Sequence, residues 1–248
     1  MDIPRIFTIS ESEHRIHNPF TPEKYATLGR VLRMKPGARI LDLGSGSGEM
    51  LCTWARDYGI NGTGIDMSSL FTAQAKQRAE ELGVSERVHF IHNDAAGYVT
   101  DEKCDVAACV GATWIAGGVA GSIELLAKSL KPGGMILIGE PWWRQVPATE
   151  EIAQACGVSS RADFLTLPAL VASFDELGYD VVEMVLADQE GWDRYEAAKW
   201  LTMRRWLESN ASDDFADEVR AELTIAPKRH VTYTREYFGW GVFALIAR

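Results

Sequence analysis

Residues 40–50 read ILDLGSGSGEM, and the fold is decided there. An apolar run, ARILDLG, enters Gly44, Gly46 and Gly48 and passes at once into GEMLCTWARDYG, whose spacing predicts a helix closed by glycine. Glycines at such a strand-to-helix turn let the backbone bend tightly and let a ligand approach it without Cβ collisions. The next apolar run, NGTGIDM, ends on Asp66, 22 residues beyond Gly44. A carboxylate at that place can accept two hydrogen bonds from a ribose diol. Turn and carboxylate together predict a site for an adenosine-containing cofactor at the carboxyl edge of a sheet.

Outward from this unit, residues 39–138 alternate short β-like runs with longer helical ones. RVHFIHND, CDVAACVG and GMILIGE supply further strands, and helices are expected over about residues 68–82 and 121–130. Strands apolar on both faces and joined by helices indicate a parallel sheet covered on both sides, a doubly wound α/β domain. Residues 1–30 form an N-terminal arm, expected to be irregular and polar until a helix over about 22–34. Helical stretches near 149–155 and 166–177 follow the core, then two strand-like runs, DVVEMVLA and GWGVFALIAR. Between those runs, residues 188–238 make an insert without strand signal. No linker divides the chain, so residues 1–248 are read as one domain.

Composition narrows the class. The 248 residues carry 25 Lys+Arg against 35 Asp+Glu, a net charge of -10, and are 46% hydrophobic, which excludes disordered and disulfide-scaffold chains. The acidic balance opposes nucleic-acid binding, whose affinity comes mainly from cations on phosphates. Cys52, Cys104, Cys109 and Cys156 have no metal-ligand spacing and read as reduced, mostly buried thiols, and no metal is expected. The first residues lack the apolar stretch of a signal peptide, so a cytoplasmic location is expected. Residues 106–123 are uncharged, but their four glycines fit a strand, turn and helix start better than a membrane span.

The loop also selects among cofactors. In a dinucleotide fingerprint the last glycine would stand where Glu49 is, and with Asp42 nearby the turn suits a dianionic pyrophosphate poorly. No lysine follows, which excludes a P-loop. A nucleoside with a cationic, phosphate-free tail fits: S-adenosylmethionine. A nicotinamide-dependent oxidoreductase and a non-catalytic S-adenosylmethionine-binding module are the alternatives.

Over roughly residues 38–140 the chain resembles the class I S-adenosylmethionine-dependent methyltransferases. LDLGSGSG resembles that family's first motif, GIDMSS its second, HNDAAGY its third, and LKPGGMILIGE the turn and fifth strand that follow. The resemblance implies a Rossmann-like, seven-stranded, mostly parallel sheet of order 3-2-1-4-5-7-6, with the helical insert as a cap over the cofactor's methyl group. It implies cofactor contacts from Asp42, Gly44, Ser45, Gly46, Gly48 and Gly111, with Asp66 on the ribose. Met67 would lie against the adenine, and Asp94 and the Ala95 backbone at its edge.

The acceptor is narrowed by what is missing. The place of an N/D-P-P-Y/F box reads CVGATWIAGG, and Cys109 is followed by Val110 rather than preceded by proline. A small-molecule methyl acceptor is expected, with neither nucleic acid nor membrane as partner. Methyl transfer needs a base only where the acceptor loses a proton. Glu140, at a strand end, and His14 and His17, in the polar arm, are the candidates; His14 and His17 also read as plain solvated residues. His230 with Tyr233 is a further pair, whereas His89 and His92 look structural. Trp114, Trp142, Trp192 and Tyr195 are the candidate acceptor contacts, and Trp143 could line the same pocket. The insert is rich in aromatics: Trp192, Tyr195, Trp200, Met203, Trp206 and Leu207 share one helical face, which reads first as helix docking and second as an aromatic wall.

Overall fold

Runs apolar on both faces must be buried between two layers, and the computed structural model, which describes residues 3–248, buries them so. The arm contributes α1 (Arg5–Glu11) and α2 (Pro22–Val31). The core follows as β1 (Arg39–Leu43), α3 (Glu49–Tyr58), β2 (Asn61–Asp66), α4 (Ser69–Glu81), β3 (Val88–His92), β4 (Cys104–Val110), α5 (Val119–Ala127) and β5 (Leu130–Trp143). Then come α6 (Glu150–Ala155), α7 (Leu167–Glu176), β6 (Tyr179–Leu186), the insert helices α8 (Gln189–Ser209) and α9 (Ala216–Arg229), and β7 (Phe238–Ala247). The strands form one sheet in the order β3-β2-β1-β4-β5-β7-β6. Strands β1 to β5 pair in parallel, and β7 runs antiparallel between β5 and β6. This is the Rossmann-like order that the motifs implied.

Each face of the sheet has its own core. Leu28, Leu51, Trp54, Phe90, Leu137 and Val242 pack on the side of α2, α3 and α4, while Leu41, Ile65, Ile136, Phe174 and Phe243 pack on the side of α5 and α7. Local chemistry starts the helices. Thr21 accepts from the Lys24 amide ahead of Pro22, Ser68 from Phe71, and Asp188 from Gly191, each satisfying an amide that the first helical turn leaves open.

A third cluster joins the chain's distant parts. Ile9 of α1 packs against Met203, Leu207, Ala216 and Val219 of the insert, so the arm lies on α8 and α9. Arg5 strengthens this docking with bonds to Asp213 and Asp214, both at 2.8 Å.

The structure differs from the sequence reading at four places. The arm is helical at α1, where an irregular segment was expected. Seven residues make a marginal helix alone, and this one forms against the insert. Helix α2 ends at Val31, short of residue 34, because Arg33 takes a positive φ of 50°. The LKPGG turn is drawn into β5: pairing jumps from Cys104↔Leu130 to Val106↔Met135, which leaves an irregularity in the strand. Finally, α9 contains Pro227 and widens into a π-turn over His230–Thr234 before β7. All four cysteines are free and buried. Among the described residues no helix is long and apolar enough to cross a membrane.

Candidate cofactor and acceptor site

The carboxyl ends of β1, β2 and β4 enclose a crevice of about 290 Å³. Its floor and walls include Gly44, Gly46, Asp66, Met67, Asp94, Ala95, Gly111 and Trp114, and its roof is the arm, through Pro4, Phe7 and His17. The loop after β1 is tied down to β2: the Gly44 and Ser45 amides donate to the Ile65 carbonyl at 2.8 and 3.1 Å. Gly44 has φ 77°, and a Cβ there would lie 2.6 Å from the Ala112 Cβ, so the floor closes only on glycine. The buried Asp66 carboxylate accepts from the Gly46 amide at 2.7 Å and the Ser68 amide at 2.8 Å. Each oxygen keeps a lone pair for a ligand. His92 meets the Met67 carbonyl at 3.0 Å, and Asp94 accepts from the Ala96 amide at 2.9 Å, which fixes the two loops facing the crevice.

A smaller cavity, about 30 Å³, adjoins the crevice through His17, Gly44 and Gly46. Arg15, Asn18, Tyr25, Asp42, Ser45, Ser47 and Glu49 are among its lining, and Arg15 is paired with Glu81 at 3.0 Å. Asp42 is buried, and neither its Oδ1 nor the Ser45 Oγ has a hydrogen-bond partner among the described residues. Burial, and then the neighbouring Asp66 charge, push the Asp42 carboxyl up to about 7. Glu49 behaves differently from the sequence reading: Arg78 holds it through bonds of 2.7 and 2.8 Å, so its charge is paired. Asp42 is the carboxylate left to set the field in the small cavity. Gly48 lies behind the loop as the left-handed cap of α3, where a Cβ would meet Phe90 at 2.5 Å.

The residues picked out for catalysis and acceptor binding are dispersed. His17 is on the crevice wall, bonded to Ser47 Oγ at 2.9 Å and to the His14 carbonyl at 3.2 Å, and burial lowers its pKa. His14 lies behind it, 5.4 Å from the Tyr195 ring centroid. Glu140 is buried and does not reach the wall. It accepts from Thr113 Oγ1 at 2.7 Å, and burial raises it to about 7. The neighbours of Thr113, Ala112 and Trp114, do line the crevice, and Trp114 is 55% exposed. Trp142 packs against Gly239, and Trp192 stacks on Phe238 with centroids 6.2 Å apart; both lie outside the crevice lining. Trp143, fully buried, stacks on Phe238 instead of facing a ligand. Tyr195 donates to Glu11 at 2.6 Å. Trp200, Met203, Trp206 and Leu207 dock α8 on the arm. His230 is buried between Asp193 and Thr234, a structural place. Among the described residues no His, Cys, Asp and Glu grouping could hold a metal.

Sequence reasoning missed Phe7, Phe71, Asn18 and Tyr25. The buried spacing of Tyr25 and Leu28 in α2 was the available signal for Tyr25; Phe7 and Asn18 gave none, because only long-range packing brings the arm here.

Crevice and small cavity fit a nucleoside with a cationic tail: a carboxylate at the end of β2, an unpartnered carboxylate oxygen beyond it, and no lysine or arginine among the described residues lining the crevice. The comparisons agree. A methyltransferase-domain family matches residues 40–134. The crystal structure of YjhP from Escherichia coli is 88% identical, with a TM-score of 0.98 over 99% of this chain and 100% of that one. A methyltransferase of Geobacter sulfurreducens, solved in complex with S-adenosyl-L-homocysteine, is 75% identical, with a TM-score of 0.98 over 100% of this chain and 99% of that one. Its counterpart from Thiobacillus denitrificans, also solved with S-adenosyl-L-homocysteine, is 72% identical, with a TM-score of 0.97 over all of both chains. The chain belongs to the S-adenosylmethionine-dependent methyltransferases. It is an enzyme whose cofactor is S-adenosyl-L-methionine, and the nicotinamide alternative is set aside.

Proposed function

We propose that the enzyme methylates a small-molecule acceptor held between the crevice and the arm. The observation that carries this reading is the arm: Pro4, Phe7 and His17 add a wall to a crevice of about 290 Å³, a volume suited to small molecules. A net charge of -10 further disfavours a polyanionic acceptor.

Asp66 would hold the ribose diol on its remaining lone pairs, Met67 would lie against the adenine, and Asp94 and the Ala95 backbone would meet its edge. Asp42 would take the ammonium of the tail, alongside Ser45. S-adenosylmethionine, when bound, supplies an electrophilic methyl group on a sulfonium. The chain's part is to position the acceptor and exclude water, which the arm does by covering the crevice. Trp114 would give the acceptor an apolar face. Glu140 fixes Thr113 and with it the turn carrying Trp114. We place the enzyme in the cytoplasm, where four free thiols stay reduced.

Calorimetry with S-adenosylhomocysteine tests the cofactor assignment: Asp66→Ala should lose about 1–3 kcal/mol of binding if charge-assisted bonds hold the diol. Release of S-adenosylhomocysteine is then followed with metabolite fractions, nucleic acid and protein as acceptors. Turnover confined to low-molecular-weight fractions supports the reading, and methylation of a macromolecule overturns it.

A further inference from the structure

With Asp66, Met67, Asp94, Ala95 and the glycines given to the nucleoside, the rest of the crevice lining has a distinct chemistry. It is apolar, Phe7, Phe71, Trp114 and Ile115 among it, with one exception, His17. Among the described residues no charged side chain remains in this part. Phe7 and Trp114 are also 39% and 55% exposed, so two aromatic side chains of one crevice lack an apolar cover.

The hydrogen bonds around His17 fix which of its nitrogens can serve a ligand. The Ser12 carbonyl accepts from the Gln74 amide at 2.7 Å, which turns the amide oxygen toward Ser47, and that oxygen takes the Ser47 hydroxyl hydrogen at 2.8 Å. Toward His17 the Ser47 hydroxyl can then only accept, 2.9 Å from Nε2, and so does the His14 carbonyl at 3.2 Å. Nε2 therefore carries the ring hydrogen, and Nδ1 presents a lone pair. Nδ1 has no partner among the described residues and, unlike His14 Nδ1, is not closed off from solvent. A Cβ on Gly46 would lie 3.1 Å from Nδ1 and 3.5 Å from both of its ring neighbours. The loop thus rests against the face of the ring, and the in-plane lone pair is directed past it. Phe71 holds the ring edge-on, with centroids 4.1 Å apart. Burial outweighs the nearby Glu11 and Asp66 charges and lowers the imidazole below its ordinary 6.5, so the lone pair is free at neutral pH.

We propose that the methyl acceptor is an uncharged, largely apolar molecule bearing a hydroxyl, with its apolar body against Phe7 and Trp114 and its hydroxyl donating to His17 Nδ1. This assignment rests on the small-molecule reading above and gives that acceptor its class. An ionised acceptor would surrender its hydration to a wall that offers no counter-charge. A hydroxyl instead meets a lone pair already oriented for it.

The test uses four probes that share one tolyl body: p-cresol, toluene, 4-methylbenzoate and 4-methylbenzylamine. Each is titrated at pH 7.5 into the full chain saturated with S-adenosylhomocysteine, and binding is read by saturation-transfer NMR. In the unaltered enzyme p-cresol should bind about tenfold more tightly than either charged probe and several-fold more tightly than toluene. His17→Phe, which keeps a ring but removes the lone pair, should erase the advantage of p-cresol over toluene. Trp114→Ala should weaken both of these probes together. Nitrogen NMR of the unaltered protein serves if a variant does not fold: the His17 Nδ1 resonance should mark an unprotonated nitrogen and move with p-cresol but not with toluene. A charged probe that binds as tightly as p-cresol, p-cresol that does not bind, or an Nδ1 resonance unmoved by it overturns the proposal. Cofactor affinity measured on the same samples reports the nucleoside site separately. Methylation of macromolecules alone would fail the small-molecule reading whatever the probes do.

Discussion

Asp42 is a carboxyl with an unpartnered oxygen in a small cavity beside the crevice, and its ionisation near pH 7 makes it a measurable reporter. Below that pH it is largely protonated in the free protein, and a cationic tail prefers it ionised. Affinity for S-adenosylhomocysteine should therefore rise between pH 6 and pH 8, with protons released on binding, and calorimetry of Asp42→Asn should show a flatter profile. Stability runs the opposite way. The folded pKa lies above the ordinary 3.8, so this group's contribution is complete at low pH and is lost as pH rises through about 7. Glu140, raised from 4.5 to about 7, acts in the same direction. Urea unfolding at pH 5 and pH 7.5 should show the unliganded protein losing stability relative to the Asp42→Asn, Glu140→Gln double variant. At Gly48, alanine meets both a φ of 71° and Phe90 at 2.5 Å, so Gly48→Ala should cost about 1–3 kcal/mol in the same assay. That glycine was legible as part of a turn; the aromatic ring behind it was not, because Phe90 comes from a strand two positions away in the sheet.

At the scale of elements, legibility followed local periodicity. The strand-loop-helix unit of β1 and α3 announces itself through apolar spacing and glycines, and it brings Gly44 and Gly46 to the crevice wall. The aromatic face of α8 was equally visible, and docking proved to be its main use. Helix α1 was invisible because nothing local favours it: Pro4 precedes it without a side-chain cap, and Ile9 finds its partners in the insert. Ile9→Ala should remove about 2–5 kcal/mol from that contact, unless the arm first unfolds locally. Limited proteolysis checks this: cleavage within the arm should accelerate and cleavage in the sheet should not.

For the molecule as a whole, sheet order and the place of the cofactor could be read from motifs in series, since each marks the end of a successive strand. The roof and the acceptor side could not, because they depend on pairings such as Glu11 with Tyr195 that span most of the chain. Ligand binding should stabilise the entire domain. At about 100 times its Kd, S-adenosylhomocysteine adds about 2.7 kcal/mol, and at roughly 2–4 °C per kcal/mol for this size the Tm should climb by about 5–11 °C. NAD should leave the Tm unmoved, and a shift with NAD would count against the crevice described above.

The arm touches the crevice with one side and the insert with the other. Whatever steadies it from below is therefore felt above, and thermodynamic reciprocity makes that influence mutual. Deuterium uptake along α9, a helix with no residue lining the crevice, should slow when S-adenosylhomocysteine binds.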